Sequence, residues 1–100
     1  MTPTNIALDR HKQELHTLTG ERISFSQKEF LILECLIIKM GEPVKREILF
    51  KSTNNMETSN LKSQRLDLAI CRLRKKLKTL ESVNIVIKSI YGVGYTLLVE

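Results

Sequence analysis

Residues Leu66 to Lys78 read "LDLAICRLRKKLK" and carry two signals at once. Leu66, Ile70, Leu73 and Leu77 recur at spacings of 4, 3 and 4, which is the spacing of one face of an α-helix. At about 100° per residue these four lie within roughly 40° on either side of Leu66. Gln64, Arg65, Leu68, Cys71, Arg72 and Lys75 fall between roughly 140° and 260°, on the face turned away. Arg74 and Lys78 sit on one flank near Asp67, and Lys76 sits on the other. The spacing predicts a helix over about 60–80, buried along one side and cationic along the other.

The charge of the whole chain follows from this one element. The formal net charge is +5, yet Lys62 to Lys78 holds seven of the 16 Lys and Arg residues and one of the 11 Asp and Glu residues. The rest of the chain is close to neutral. A block of like charge is either a solvated face or the footprint of an anionic partner. Leu68, an aliphatic residue in the middle of the polar face, is something a merely solvated face does not need.

Upstream, "SQKEF" from Ser26 to Phe30 reads as a helix start. Ser26 can accept from the Glu29 backbone N–H while the Glu29 side chain reaches back to the Ser26 N–H, a capping box. Phe30, Leu33, Ile37 and Met40 then recur at helical spacing, with Ile32 and Leu36 widening the stripe, and Gly41 and Pro43 end the helix near residue 40. "KREILFKS" (45–52) reads as a shorter helix with Ile48 and Leu49 inward, and "TNNMETSN" (53–60) as a polar loop. Before all of these, "NIALD", "QELHTL" and "ERISF" alternate apolar and polar residues across about 5–25, with a turn at Thr19-Gly20, and predict a small antiparallel sheet. After the cationic helix, two β-rich runs, Ile85–Ile90 and Tyr95–Val99, flank Gly92-Val93-Gly94, where glycine permits the positive φ of a tight hairpin.

One hundred residues with 42% hydrophobic content suffice for one domain spanning 1–100. Cys35 and Cys71 lack the spacing of a metal or redox motif, and two such cysteines fit a reducing compartment. No apolar run approaches the roughly 20 residues of a membrane span, and the polar first residues do not read as a secretory leader. His11 and His16 have no Cys, Asp or Glu arrangement around them that suggests a metal or a catalytic pair. There is no nucleophile–base constellation or P-loop, so the reading is non-enzymatic, with no cofactor and no metal.

Taken in order, "SQKEFLILECL" (26–36), "GEPVKREIL" (41–49), "LDLAICRLRKKL" (66–77) and "SIYGVGY" (89–95) resemble the C-terminal effector domain of OmpR/PhoB-type response regulators. The resemblance covers nearly the whole chain. It implies an α+β winged helix: an N-terminal four-stranded antiparallel sheet, three helices, and a C-terminal β-hairpin wing over 85–99. It implies a bacterial, cytoplasmic domain of a two-component system that binds double-stranded DNA sequence-specifically and regulates transcription, with the third helix in the major groove. It further implies RNA polymerase as a partner of the 53–60 loop and homodimers on tandem half-sites. The usual receiver domain is absent from this chain, as is the spanning helix that membrane-tethered relatives carry.

On that reading Arg65, Leu68, Arg72 and Lys75 face base edges, where Arg can bond guanine in bidentate fashion and Leu68 can pack on a thymine methyl. For Arg72 the alternative is a surface salt bridge. Arg74, Lys76 and Lys78 meet phosphates, as do Lys88 and Tyr91 from the wing and Lys45 and Arg46 from the start of the second helix. Rival expectations are an Arg74–Asp67 pair and simple exposure of Lys45 and Arg46; Tyr95 is read as a core-packing ring, with a phosphate bond as its alternative. In the family, Arg commonly precedes the wing glycine where Tyr91 stands, and a polar reader often occupies the position of Ala69. A rival for the whole domain is a winged helix that serves as a protein-interaction module without sequence-specific DNA binding.

Overall fold

The computed structural model describes residues 5–53 and 62–100, with side chains from Leu66 onward in the second stretch. Its elements run β1 (Ile6–Asp9), β2 (Glu14–Thr17), β3 (Arg22–Ser24), α1 (Gln27–Ile38), β4 (Val44–Lys45), α2 (Arg46–Ser52), α3 (Lys62–Leu77), β5 (Ile85–Ile90) and β6 (Gly94–Val99). This is the expected winged helix, with two departures in its sheets.

The first sheet is antiparallel in the order β1-β2-β3, so the described residues hold three strands rather than the four implied by the resemblance. Ile6 and Leu15 turn into the core, and the expected turn forms with Gly20 at φ 93°. The second departure is β4, a two-residue strand with no periodicity to announce it. It exists because β6 is beside it: Val44 pairs with Tyr95 and Lys45 with Gly94, giving a sheet ordered β4-β6-β5. Gly94 has no positive φ; its role is close approach. A Cβ there would lie 2.1 Å from the Val44 carbonyl oxygen and 3.0 Å from the Arg46 nitrogen. Gly92 alone supplies the positive φ of the wing turn, at 75°.

The capping box of α1 is present as the sequence predicts. Ser26 Oγ accepts from the Glu29 N–H at 3.2 Å, and Glu29 Oε1 accepts from the Ser26 N–H at 2.9 Å. The helix gives way at Lys39, slightly before the expected end, and the Gly41 N–H donates to the Leu97 carbonyl on β6. In α2, Leu49 is fully buried, but Ile48 is an exposed side chain, against expectation. The buried face of this short helix continues through partly buried Phe50 to buried Thr53, and that rotation carries Ile48 outward.

The helix α3 is held as its stripe requires. Leu66, Ile70, Leu73 and Leu77 are at most 2% exposed, joined by Ala69 at 3%. Ala69 is therefore a core residue, off the face that reads outward. Beyond Leu77 the chain tightens through two 3₁₀-type bonds, from the Thr79 N–H to the Lys76 carbonyl and from the Leu80 N–H to the Leu77 carbonyl, which shortens the expected helix end by three residues. The start expected at residue 60 and the 53–60 loop expected to meet polymerase lie largely outside the described residues.

Candidate nucleic-acid interface

Burying one stripe of α3 fixes the rotation of the helix, and so decides which side chains are presented. Leu68 is 55% exposed, and Cys71, Arg72 and Lys75 are exposed beside it. Arg65, Leu68, Arg72 and Lys75 follow spacings of 3, 4 and 3, a second row on the reverse of the core stripe, with Cys71 at its edge. The backbone of Arg65 is in the first turn of α3; its side chain lies outside the described residues. From Leu68 to Lys75 the row covers about 10 Å at 1.5 Å per residue, and a B-DNA major groove about 12 Å wide admits a helix. Lys78 is exposed just past the helix end. Among the described residues no element covers this face, and no ion pair engages Arg72, Lys75 or Lys78.

Three other cations are tied to the domain itself. Lys76 Nζ lies 2.7 Å from Glu29 Oε1, donates to the Ser24 carbonyl at 3.2 Å and sits 5.4 Å from the centre of the Phe25 ring. Burial alone would raise the Glu29 carboxyl, but the Lys76 ammonium and the Ser26 N–H outweigh it and hold the group below the ordinary carboxylate range. Arg74 donates from Nε to the Ile87 carbonyl at 3.0 Å and from its terminal nitrogen to Ser89 Oγ at 3.1 Å. Arg46 donates to Asp67 Oδ1 at 3.0 Å and to the Tyr95 hydroxyl at 3.5 Å.

Arg74, Lys76 and Arg46, each expected at phosphate, have partners inside the domain. The Arg74–Asp67 pair is replaced by Arg46–Asp67, because Arg74 swings over β5. Tyr95 takes its core-packing role: the ring is buried, and the hydroxyl donates to Asp67 Oδ1 at 2.5 Å. That hydroxyl, followed by the Arg46 guanidinium, holds the Asp67 carboxyl below its ordinary value, while burial and then the hydrogen bond to Asp67 push the Tyr95 phenol up. A sequence signal for this cluster existed. Asp67 is the one acid in a cationic run, where nearby opposite charge favours its ionised form.

The wing supplies the other candidates. Lys88 is exposed on β5 and Lys45 at the start of α2. Tyr91 stands fully exposed at the turn, with Val93 partly so. His16 bonds Glu14 within β2 at 2.9 Å. Among the described residues no group of three or more His, Cys, Asp or Glu side chains could hold a metal ion, and no helix is long and apolar enough to cross a membrane.

The model of the family described as "Transcriptional regulatory protein, C terminal" matches residues 20–97. The chain belongs to this family. As a transcriptional regulatory C-terminal domain, it is 35% identical over 91 residues to the probable transcriptional regulator ycf27 of Cyanophora paradoxa, covering 90% of this chain and 38% of that protein. The chain thus spans well under half the length of that relative. Among solved structures, the C-terminal domain of the nisin resistance regulator NsrR superposes with a TM-score of 0.76 at 25% identity, covering 97% of this chain and 95% of that one. The Klebsiella pneumoniae RstA DNA-binding domain, solved in complex with RstA box, superposes with a TM-score of 0.74 at 26% identity, covering 98% and 95%.

Proposed function

We propose that this domain binds double-stranded DNA in a sequence-specific manner to regulate transcription, with α3 in the major groove and the β5–β6 wing on the adjacent groove or backbone. One observation carries the reading. The stripe from Leu66 to Leu77 is fully buried, and Leu68, Arg72 and Lys75 are thereby presented together on an uncovered face. Family membership and the DNA complex of the RstA relative support it.

In this proposal Arg65, Leu68, Arg72 and Lys75 meet base edges, while Lys78, Lys45, Lys88 and Tyr91 meet the sugar–phosphate backbone and set register. Arg74, Lys76 and Arg46 serve the domain's own architecture. The domain acts in the cytoplasm as a non-enzymatic reader, either as the effector part of a longer response regulator or on its own. Homodimers on tandem half-sites and polymerase contact through residues 53–60 complete the proposal.

The test is selection of bound duplexes from a random pool, followed by titration of the selected duplex over a range of salt. A recurrent motif bound more tightly than random competitor, with affinity falling steeply as salt rises, is expected. Exposed Leu68 and Tyr91 favour a second reading, the protein-interaction module; equal affinity for every duplex in the pool would decide for it.

A further inference from the structure

We infer that Asp67 and Tyr95 are positioning residues that lock the wing to α3, so that helix and wing meet a duplex as one rigid surface. The inference deepens the DNA-binding reading and rests on it for its consequence, though not for its geometry.

The wing is a long lever. Six residue pairs join β5 to β6, from Ile85–Val99 at the base to Ile90–Gly94 at the tip. The backbone clamps one edge of this lever to α2. Gly94 sits against the Val44 carbonyl too closely for any side chain, and the Arg46 N–H donates to the Val93 carbonyl at 3.3 Å. These bonds fix the wing to α2, and its base shares the apolar core with α3 through Ile85, Ile87 and Leu97; apolar packing is non-directional, so a polar bond is needed to set the angle of the wing's tip.

Side chains supply that second constraint. Tyr95, one residue past the wing turn's closing Gly94, has two guanidinium groups against its ring, with Arg46 5.7 Å and Arg74 5.8 Å from the ring centre. Its hydroxyl donates to Asp67 on α3. Arg74, also on α3, grips the opposite strand of the wing at Ile87 and Ser89. The helix thus holds the hairpin at both strands, and Arg46 joins α2 to the same Asp67 carboxylate.

The position of Asp67 adds an electrostatic consequence. It precedes Leu68, the exposed aliphatic residue of the outward row, and its own side chain is 54% exposed. A carboxylate there without counter-charge would repel a phosphate backbone. Bonding to Arg46 and Tyr95 compensates it and turns a liability on the helix into the pivot of the wing.

Removing the Tyr95 hydroxyl takes away nothing that the apolar core uses, since the ring stays in Tyr95→Phe. The experiment measures residual dipolar couplings of backbone amides in α3 and in β5–β6, without DNA, for the wild type and for Tyr95→Phe. Alongside it, affinity is measured for the duplex selected from the random pool and for a random duplex. In the wild type one alignment tensor should fit both elements. In Tyr95→Phe the wing should need its own tensor, and the selected duplex should bind roughly tenfold more weakly, the scale of one charge-assisted hydrogen bond, with the random duplex affected less.

Asp67→Asn keeps an acceptor for Tyr95 and should fall between the two, serving as the second variant should Tyr95→Phe fold poorly. Asp67→Ala combined with Tyr95→Phe should be no worse than Asp67→Ala alone, because both remove the same bond. A single tensor for helix and wing in folded Tyr95→Phe and Asp67→Ala overturns the inference. Failure of the wild type to prefer any selected duplex overturns the DNA-binding reading instead, and the dipolar couplings still decide the joint.

Discussion

The Lys76 ammonium lies 2.7 Å from the Glu29 carboxylate, joining the last turn of α3 to the first turn of α1. Glu29 is nearly buried, and the same carboxylate oxygen closes the capping box on Ser26. One oxygen therefore completes a local helix start and a contact between helices that the chain brings together from 47 residues apart.

Lys76→Met should destabilise the domain by about 1–3 kcal/mol, because it leaves a buried acceptor short of its strongest donor while keeping the apolar stem. Urea denaturation measures the loss. The salt slope of duplex binding should stay at the wild-type value, since this cation belongs to the fold.

Arg72→Ala should act on recognition. The selected duplex should lose about 1–3 kcal/mol of discrimination over random DNA, the worth of one bidentate base contact. Lys78→Ala should weaken both duplexes alike and flatten the log–log salt dependence by about 0.9. Competition titrations at several salt concentrations separate the two, and a swap of these phenotypes would reverse the proposed roles.

Acid should loosen the contact between the first sheet and the end of α3. Glu21 accepts from the backbone N–H groups of Glu81 and Ser82 and from the Ser82 hydroxyl, and these bonds bring its carboxyl from an ordinary 4.5 down to about 2. A group depressed in the folded state contributes stability that is present above 4.5 and is lost as pH falls through 4.5 toward about 2. Melting temperature followed over that window should fall with acid in the wild type and fall less steeply in Glu21→Gln.

The two cysteines give a footprint of α3. Cys71 is exposed on its outward row, whereas Cys35 is half-buried and burial pushes its thiol up. A maleimide should label Cys71 well before Cys35 in the free domain. Saturation with the selected duplex should slow labelling of Cys71 at least tenfold in Cys35→Ser, about the scale of a group occluded in a bound complex. Unchanged labelling would place α3 outside the groove.

The two wing glycines should respond differently to a methyl group. Gly92→Ala meets open space and only the unfavourable φ, at a cost of about 1 kcal/mol. Gly94→Ala drives its Cβ into the Val44 carbonyl and should cost about 1–3 kcal/mol, with loss of the β4–β6 pairing. Thermal melts and amide exchange at Val44 and Lys45 give both readings.

By itself the sequence determined what depends on near neighbours along the chain. The Ser26–Glu29 box, the Leu66–Leu77 stripe and the paired β-rich runs around Gly92 are written within a few residues, where helix and strand periods force the geometry. The outward row of α3 follows from that stripe, because a helix buried on one side has no choice about its other side. Tertiary structure alone decided which cations have partners inside the domain. Lys76, Arg74 and Arg46 look like Arg72 and Lys75 in a charge count, yet Glu29, Ile87 and Asp67 claim them across 47, 13 and 21 residues. The strand β4 and the outward turn of Ile48 also waited on packing, since a two-residue strand exists only where another strand completes its hydrogen bonds, and a short helix takes its rotation from whatever it rests upon.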